Sequence, residues 1–159
     1  MAQPTTSSGL NARTLFLIGG VGAILAVLIV SLVARQRPVT SADVTVPQLV
    51  AQGQTIYRAR CASCHGGQLE GQPDWQQPLA DGSMPAPPHD PTGHTWHHND
   101  QSLFATVKYG GAATSPPDRP NHMPAFDSQL SDADIWSVLA YIKSTWPADV
   151  LAAQTNGHQ

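Results

Sequence analysis

The hydrophobic pattern divides the chain sharply. Residues 1–14 are small and polar with no periodicity, the pattern of an unstructured tail. Leu15 to Ala34 follow as a 20-residue run without a charge, LFLIGGVGAILAVLIVSLVA, bounded by Arg13 and by Arg35 and Arg37. At about 1.5 Å per residue a helix of that length spans about 30 Å, the hydrocarbon thickness of a bilayer. The alternative is a cleaved signal peptide, but its apolar core is usually about 7–15 residues. The exit LVA-RQR also lacks a small-x-small cleavage site. A retained transmembrane anchor over 15–34 is therefore expected, and membrane lipid is its first partner.

Residues 35–46 are polar and β-branched and read as a linker. Pro47 can open a helix at its first position, where its missing amide hydrogen would go unpaired anyway. Val50, Gly53, Tyr57 and Cys61 then recur at spacings of three and four, one face of a helix. From Gly66 to His98 the periodicity vanishes, leaving an irregular segment unusually long for a small domain. Asp100 to Tyr109 reads as a short helix capped by Asn99 or Asp100, with Leu103, Phe104 and Val107 on its apolar side and Gly110 ending it. Gly110 to Asn121 reads as loop. Ser131 caps a last helix whose first turn is acidic. Ile135, Leu139, Ile142 and Trp146 form its stripe, which Val138 and Tyr141 widen, and Pro147 ends it. Residues 148–159 read as a polar tail. The expected domain thus occupies 47–147 and is all-α.

Between the first of these helices and the long loop stands Cys61-Ala62-Ser63-Cys64-His65. C-x-x-C-H is the attachment signature of a c-type haem. Two thiols three positions apart can each add across one porphyrin vinyl group, and the adjacent histidine supplies an axial imidazole. With 2 cysteines in the chain there is no disulfide framework, and no second Cys pair to complete a zinc site. A thioredoxin-like C-x-x-C would need a βαβ pattern that does not follow. Gly and Pro number 13 and 14 of 159 residues, so the domain is loop-rich. A haem would supply apolar surface that so small a core lacks.

On these residues the chain resembles the class I, His/Met-ligated c-type cytochromes over about 47–146. The family carries G-x-x-x-aromatic before C-x-x-C-H, a downstream Pro-Leu, a methionine in a loop, and a final amphipathic helix. Here these are Gly53 with Tyr57, Cys61 to His65, Pro78-Leu79, Met123-Pro124 and Ser131 to Trp146. The resemblance implies one covalent haem c, first and last helices crossing near Gly53, a short middle helix, long haem-wrapping loops, and His65 and Met123 as iron ligands. Met84, in SMPAPP, is the competing thioether; either methionine could instead fill a gap in the core. A ligating histidine normally donates its other N–H to an acceptor, and the resemblance assigns that acceptor to the Pro78 carbonyl. Trp96 and Trp75 carry indole donors suited to a haem propionate, with ordinary aromatic cover as the plainer alternative. His89, His94, His97, His98 and His122 lie in loops and His158 in the tail. Solvated loop residues are the expected reading, a copper or zinc site the alternative. His122, beside Met123, could replace it as ligand in a misfolded or alkaline form.

Beyond residue 37 there are five basic residues against all eleven acids, a formal charge of −6. An acidic domain steers toward basic surfaces of redox partners, and there is no basic patch for nucleic acid. Arginine counts flanking the anchor lean weakly toward a cytoplasmic domain. Haem attachment in c-type cytochromes takes place outside, which outweighs one arginine and places the domain on the periplasmic or extracytoplasmic side of the cytoplasmic membrane. The expectation is a single-electron carrier, not an enzyme, between a quinol-oxidising or dehydrogenase complex and a terminal oxidase or reaction centre. The rivals are a tightly bound subunit of a larger respiratory or photosynthetic complex, a haem enzyme or gas sensor with an open sixth position, and a metal-binding module.

Overall fold

The computed structural model describes residues 24–27 and 38–157. The chain divides into two units, residues 1–38 and 39–159. In the first, residues 24–27 are helical, with Ile24, Leu25 and Val27 exposed. The rest of the expected anchor lies outside the described residues, and no helix among those described is long and apolar enough to cross a membrane.

The second unit is built from α1 (Pro47–Arg60), α2 (Ala62–His65), a 3-10 turn (Thr95–His97), α3 (Asp100–Tyr109), α4 (Gly111–Thr114), α5 (Asp132–Ser144) and α6 (Ala148–Asn156), with no strand among the described residues. Pro47 stands at the start of α1. The helix buries Leu49, Gly53 and Tyr57, a stripe at spacing four, with Val50 and Cys61 partly buried at its margins. In α5 every residue from Ile135 to Lys143 is buried, so this helix is enclosed on all sides rather than along one stripe. Its start is a capping box: the Asp134 amide donates to Ser131 Oγ at 3.2 Å and the Ser131 amide to Asp134 Oδ2 at 3.0 Å. Asn99 caps α3 by accepting from the Ser102 amide at 2.8 Å.

α1 crosses α5 at Gly53, where a Cβ would collide with the Ser137 carbonyl oxygen. On one side of the crossing lie Leu49, Val107, Phe126, Ile135 and Leu139, with Phe104 stacked on Trp136 at 4.5 Å. On the other lie Tyr57, Leu69, Val138, Tyr141, Ile142 and Trp146. Gln52 ties the start of α5 to α1 through Asp134 Oδ1 at 2.8 Å.

Three boundaries differ from the sequence expectation. Val39 and Ala42 pack into the core, so the expected 35–46 linker belongs to the domain from Val39 onward. Gly111–Thr114 is a helical turn inside the expected 110–121 loop. The expected polar tail contains α6, which buries Gln154; its amide donates to the His98 carbonyl at 3.1 Å and to Asp100 Oδ1 at 2.7 Å. The same Asp100 carboxylate receives Lys143 Nζ at 2.6 and 2.8 Å. Val150 and Leu151 of the same helix pack, partly buried, against the cluster of Tyr57 and Trp146, an apolar pair too short to show as a stripe in sequence.

Candidate functional site

Cys61 closes α1 in helical geometry, and the amides of Cys64 and His65 both donate to its carbonyl, at 3.1 and 3.0 Å. The motif is therefore a continuation of the helix, with the two sulfurs one turn apart. Both thiols are free; Cys61 is partly buried and Cys64 exposed. Burial, assisted by the neighbouring Cys64, pushes the Cys61 thiol up to about 11, so it is protonated at neutral pH. Gly66, at φ 84°, turns the chain away, and a Cβ there would meet the Glu70 carboxylate. Beneath the turn Tyr57, with no exposed surface, points its hydroxyl at the carbonyls of Gly66 and His65, at 3.0 and 3.3 Å. Burial holds that phenol protonated, which keeps it a donor.

His65 is buried at 7% exposure, and its Nδ1 lies 2.9 Å from the carbonyl of Pro87. A carbonyl only accepts, so Nδ1 carries the proton and Nε2 keeps the lone pair a metal needs. Burial lowers the affinity of this imidazole for a further proton, and the Pro87 bond partly opposes that. The acceptor is thus Pro87, not Pro78. Pro78 is exposed and precedes a turn in which the Leu79 amide donates to the Ser83 carbonyl at 2.8 Å. The physical reason lies in the loop. Gly71 donates to the His65 carbonyl at 2.8 Å and Gln72 to the Ala86 carbonyl at 2.9 Å, which brings residues 85–88 back to the motif. Gly71 has φ 69° and sits against the Pro87-Pro88 backbone, where a Cβ would clash.

Of the two readings of the indoles, aromatic cover fits both stacks. Trp96 Nε1 donates to the Gly93 carbonyl at 3.1 Å, so its donor serves the loop instead of a propionate, and its ring stacks on His97 at 3.7 Å. Trp75 stacks on His94 at 5.4 Å. His94 and His97 are exposed, as is the imidazole of His122, which contacts Asp81 Oδ2 at 2.8 Å. His89 departs from the solvated reading. It is partly buried, stacks on His65 at 4.1 Å, and has its Nδ1 2.8 Å from Thr95 Oγ1. Among the described residues no three His, Cys, Asp or Glu side chains converge as a further metal site.

Met123 is partly buried and packs against the cluster of Val107, Phe126 and Trp136. Its amide donates to Asn121 Oδ1 at 3.0 Å, and its carbonyl accepts from the Gly111 amide at 2.9 Å. Gly110 and Gly111 let this strand of loop lie close: a Cβ at Gly111 would collide with the Asn121 side chain. Met84, the competing thioether, is 40% exposed.

Two free thiols one turn apart and a buried imidazole presenting one lone pair fit a covalently attached haem in chemistry and number. The comparisons agree. The sequence model of the family described as Cytochrome c matches residues 50–146. The chain is 33% identical over 95 residues to the Cbb3-type cytochrome c oxidase subunit CcoP of Azospirillum sp. (strain B510), covering 58% of this chain and 27% of that protein. The chain thus spans about a quarter of the length of this curated relative. No solved structure gives a significant match.

Proposed function

We propose that this chain, which belongs to the cytochrome c family and carries covalent haem c, is a single-electron carrier in which Cys61 and Cys64 would hold the porphyrin and His65 and Met123 the iron. It is tethered by residues 15–34, with the domain outside the cytoplasmic membrane. The observation that carries this reading is the fixed tautomer of His65. Its proton is held on Nδ1 by Pro87, so Nε2 is free to bind iron whatever the oxidation state. When bound, the haem supplies the one-electron oxidation and reduction of its iron.

The chain's own residues do the rest. Cys61 and Cys64 would hold the haem through thioether bonds, S–H addition across a vinyl group being balanced without an oxidant. Tyr57 holds the carbonyls at the end of the motif, which keeps His65 at the helix terminus. Asn121, Gly110 and Gly111 fix the Met123 backbone. A thioether from Met123 would favour reduced iron and leave no open position for a substrate, a combination suited to passing electrons. The excess of acids beyond residue 37 favours a basic docking partner.

A second reading is favoured by the likeness to CcoP: the chain acts as a bound subunit of a larger membrane oxidase or related complex. Co-purification in mild detergent separates the two, since a free carrier leaves its partners and a subunit keeps them.

The ligand assignment is tested by oxidised and reduced absorption spectra of membrane-extracted wild type beside Met123→Ala. The expected outcome is a sulfur-to-iron charge-transfer band in the far red that the substitution abolishes, with carbon monoxide binding gained by the ferrous variant. A band that survives Met123→Ala, or a wild type that binds carbon monoxide at neutral pH, would overturn it.

A further inference from the structure

His89 lies 24 residues after the ligand it touches. The two imidazoles stack at a centroid distance of 4.1 Å and an interplanar angle of 24°. The ring is held from several sides. Thr95 Oγ1, on a residue 5% exposed, lies 2.8 Å from Nδ1, and the edge of Tyr57 faces the ring at 6.2 Å. The backbone is pinned too: the His89 amide donates to the Leu69 carbonyl, and its carbonyl accepts from Trp146 Nε1, both at 2.8 Å. Filling space alone would be done more cheaply by leucine, because taking the polar atoms of a ring even partly out of water costs free energy unless they are bonded. Here a threonine is buried beside the imidazole, with its hydroxyl also 3.3 Å from the Pro88 carbonyl. The loop segment that supplies the Pro87 acceptor thus supplies a flat polar face two residues later.

We infer that His89 is a positioning residue that tunes the reduction potential of the haem through its contact with His65. Pro87 fixes one nitrogen of the ligand, and a bond to a single point leaves rotation about it. A ring lying flat on the ligand removes that rotation. Its ring dipole also makes the ligand's surroundings more polar, which favours the more highly charged oxidised state. This rests on the reading of His65 as an axial ligand.

The test is a redox titration of the full-length, detergent-extracted holoprotein as wild type, His89→Leu, His89→Phe and Thr95→Val. His89→Leu is expected to shift the reduction equilibrium about tenfold toward the reduced form, which for one electron is about 59 mV. His89→Phe keeps a flat ring and is expected to shift it less, in the same direction. Thr95→Val, which frees the imidazole to turn, is expected to shift it measurably without changing His89 itself. Should His89→Leu fail to retain haem, the phenylalanine and valine variants carry the measurement. Potentials within twofold of wild type in every variant that retains haem would overturn the inference, even if melting temperatures fall, because that is the signature of packing alone. The far-red band of wild type keeps the two readings apart. Its absence would sink the Met123 assignment while leaving a His89 shift readable. A band that persists with no shift would sink only His89.

Discussion

Where α1 crosses α5 the contact is made by Leu49, Gly53, Tyr57 and an α5 buried on every side, and its hydrogen bonds stay largely within the helices. Between Gly66 and His98 few side chains are buried. The chain is held instead by bonds to distant backbone: Gly71 to His65, Gln72 to Ala86, His89 to Leu69 and Trp146 to His89. The crossing depends on shape, so it fails when volume is added. The loop depends on polar pairing, so it fails when a partner is removed. Lys143, Asp100 and Gln154 join the two regions, because the ammonium belongs to α5 and the glutamine amide also reaches the loop at the His98 carbonyl.

The comparison breaks first at Gly53. Gly53→Ala drives a methyl into the Ser137 carbonyl, which is backbone and cannot swing aside, and about 3 kcal/mol of stability is expected to be lost. Chemical denaturation of the holoprotein checks it, with the loss spread over the whole domain. A loss confined to a fraction of a kcal/mol would mean the helices can separate freely.

At the junction, Lys143→Met leaves Asp100 half-enclosed without its cation. Since Asp100 is 31% exposed, about 2 kcal/mol is expected, below the value for fully buried pairs. Amide exchange should show the extra opening around α6 and residues 95–98 as well as in α5. Protection lost in α5 alone would show that the loop does not hang on this pair.

The smallest effect is at the α5 cap. Bonds from Ser131, opposed in part by burial, hold the Asp134 carboxyl below its usual range. Its folded-state pKa is therefore depressed. The stability it contributes is present above the ordinary value of 3.8 and lost as pH falls below that toward the folded pKa. Asp134→Ala is expected to cost about 1 kcal/mol at neutral pH. Its melting temperature should also fall less steeply than that of wild type on acidification below pH 3.8. Parallel acid limbs in the two proteins would contradict the assignment.

What could be read from the sequence follows the same division. The caps Asn99 and Ser131, the proline at the start of α1 and the glycine at the crossing act within a turn or along one stripe, so spacing reveals them. C-x-x-C-H is equally local. The choice of Pro87 over Pro78 was hidden, because the loop holds several prolines and the reversal at Gly71 that selects one leaves no periodic trace. His89 was read as solvated for the same reason, since its partners Thr95, Trp146 and His65 meet only after the loop has folded back. The asparagine beneath Met123 had a readable signal, an Asn two residues before the methionine able to accept its amide.

The family-matched segment stops at residue 146, yet α6 runs on to Asn156. Anyone cutting this gene to express the domain alone would place the end just after the last conserved-looking turn and discard Gln154. Asp100 would then keep Lys143 but lose the fixed amide, and the His98 carbonyl would lose the same donor. A piece that keeps these bonds runs from about residue 39 to 157, and an affinity handle belongs after that point, on the far side of α6.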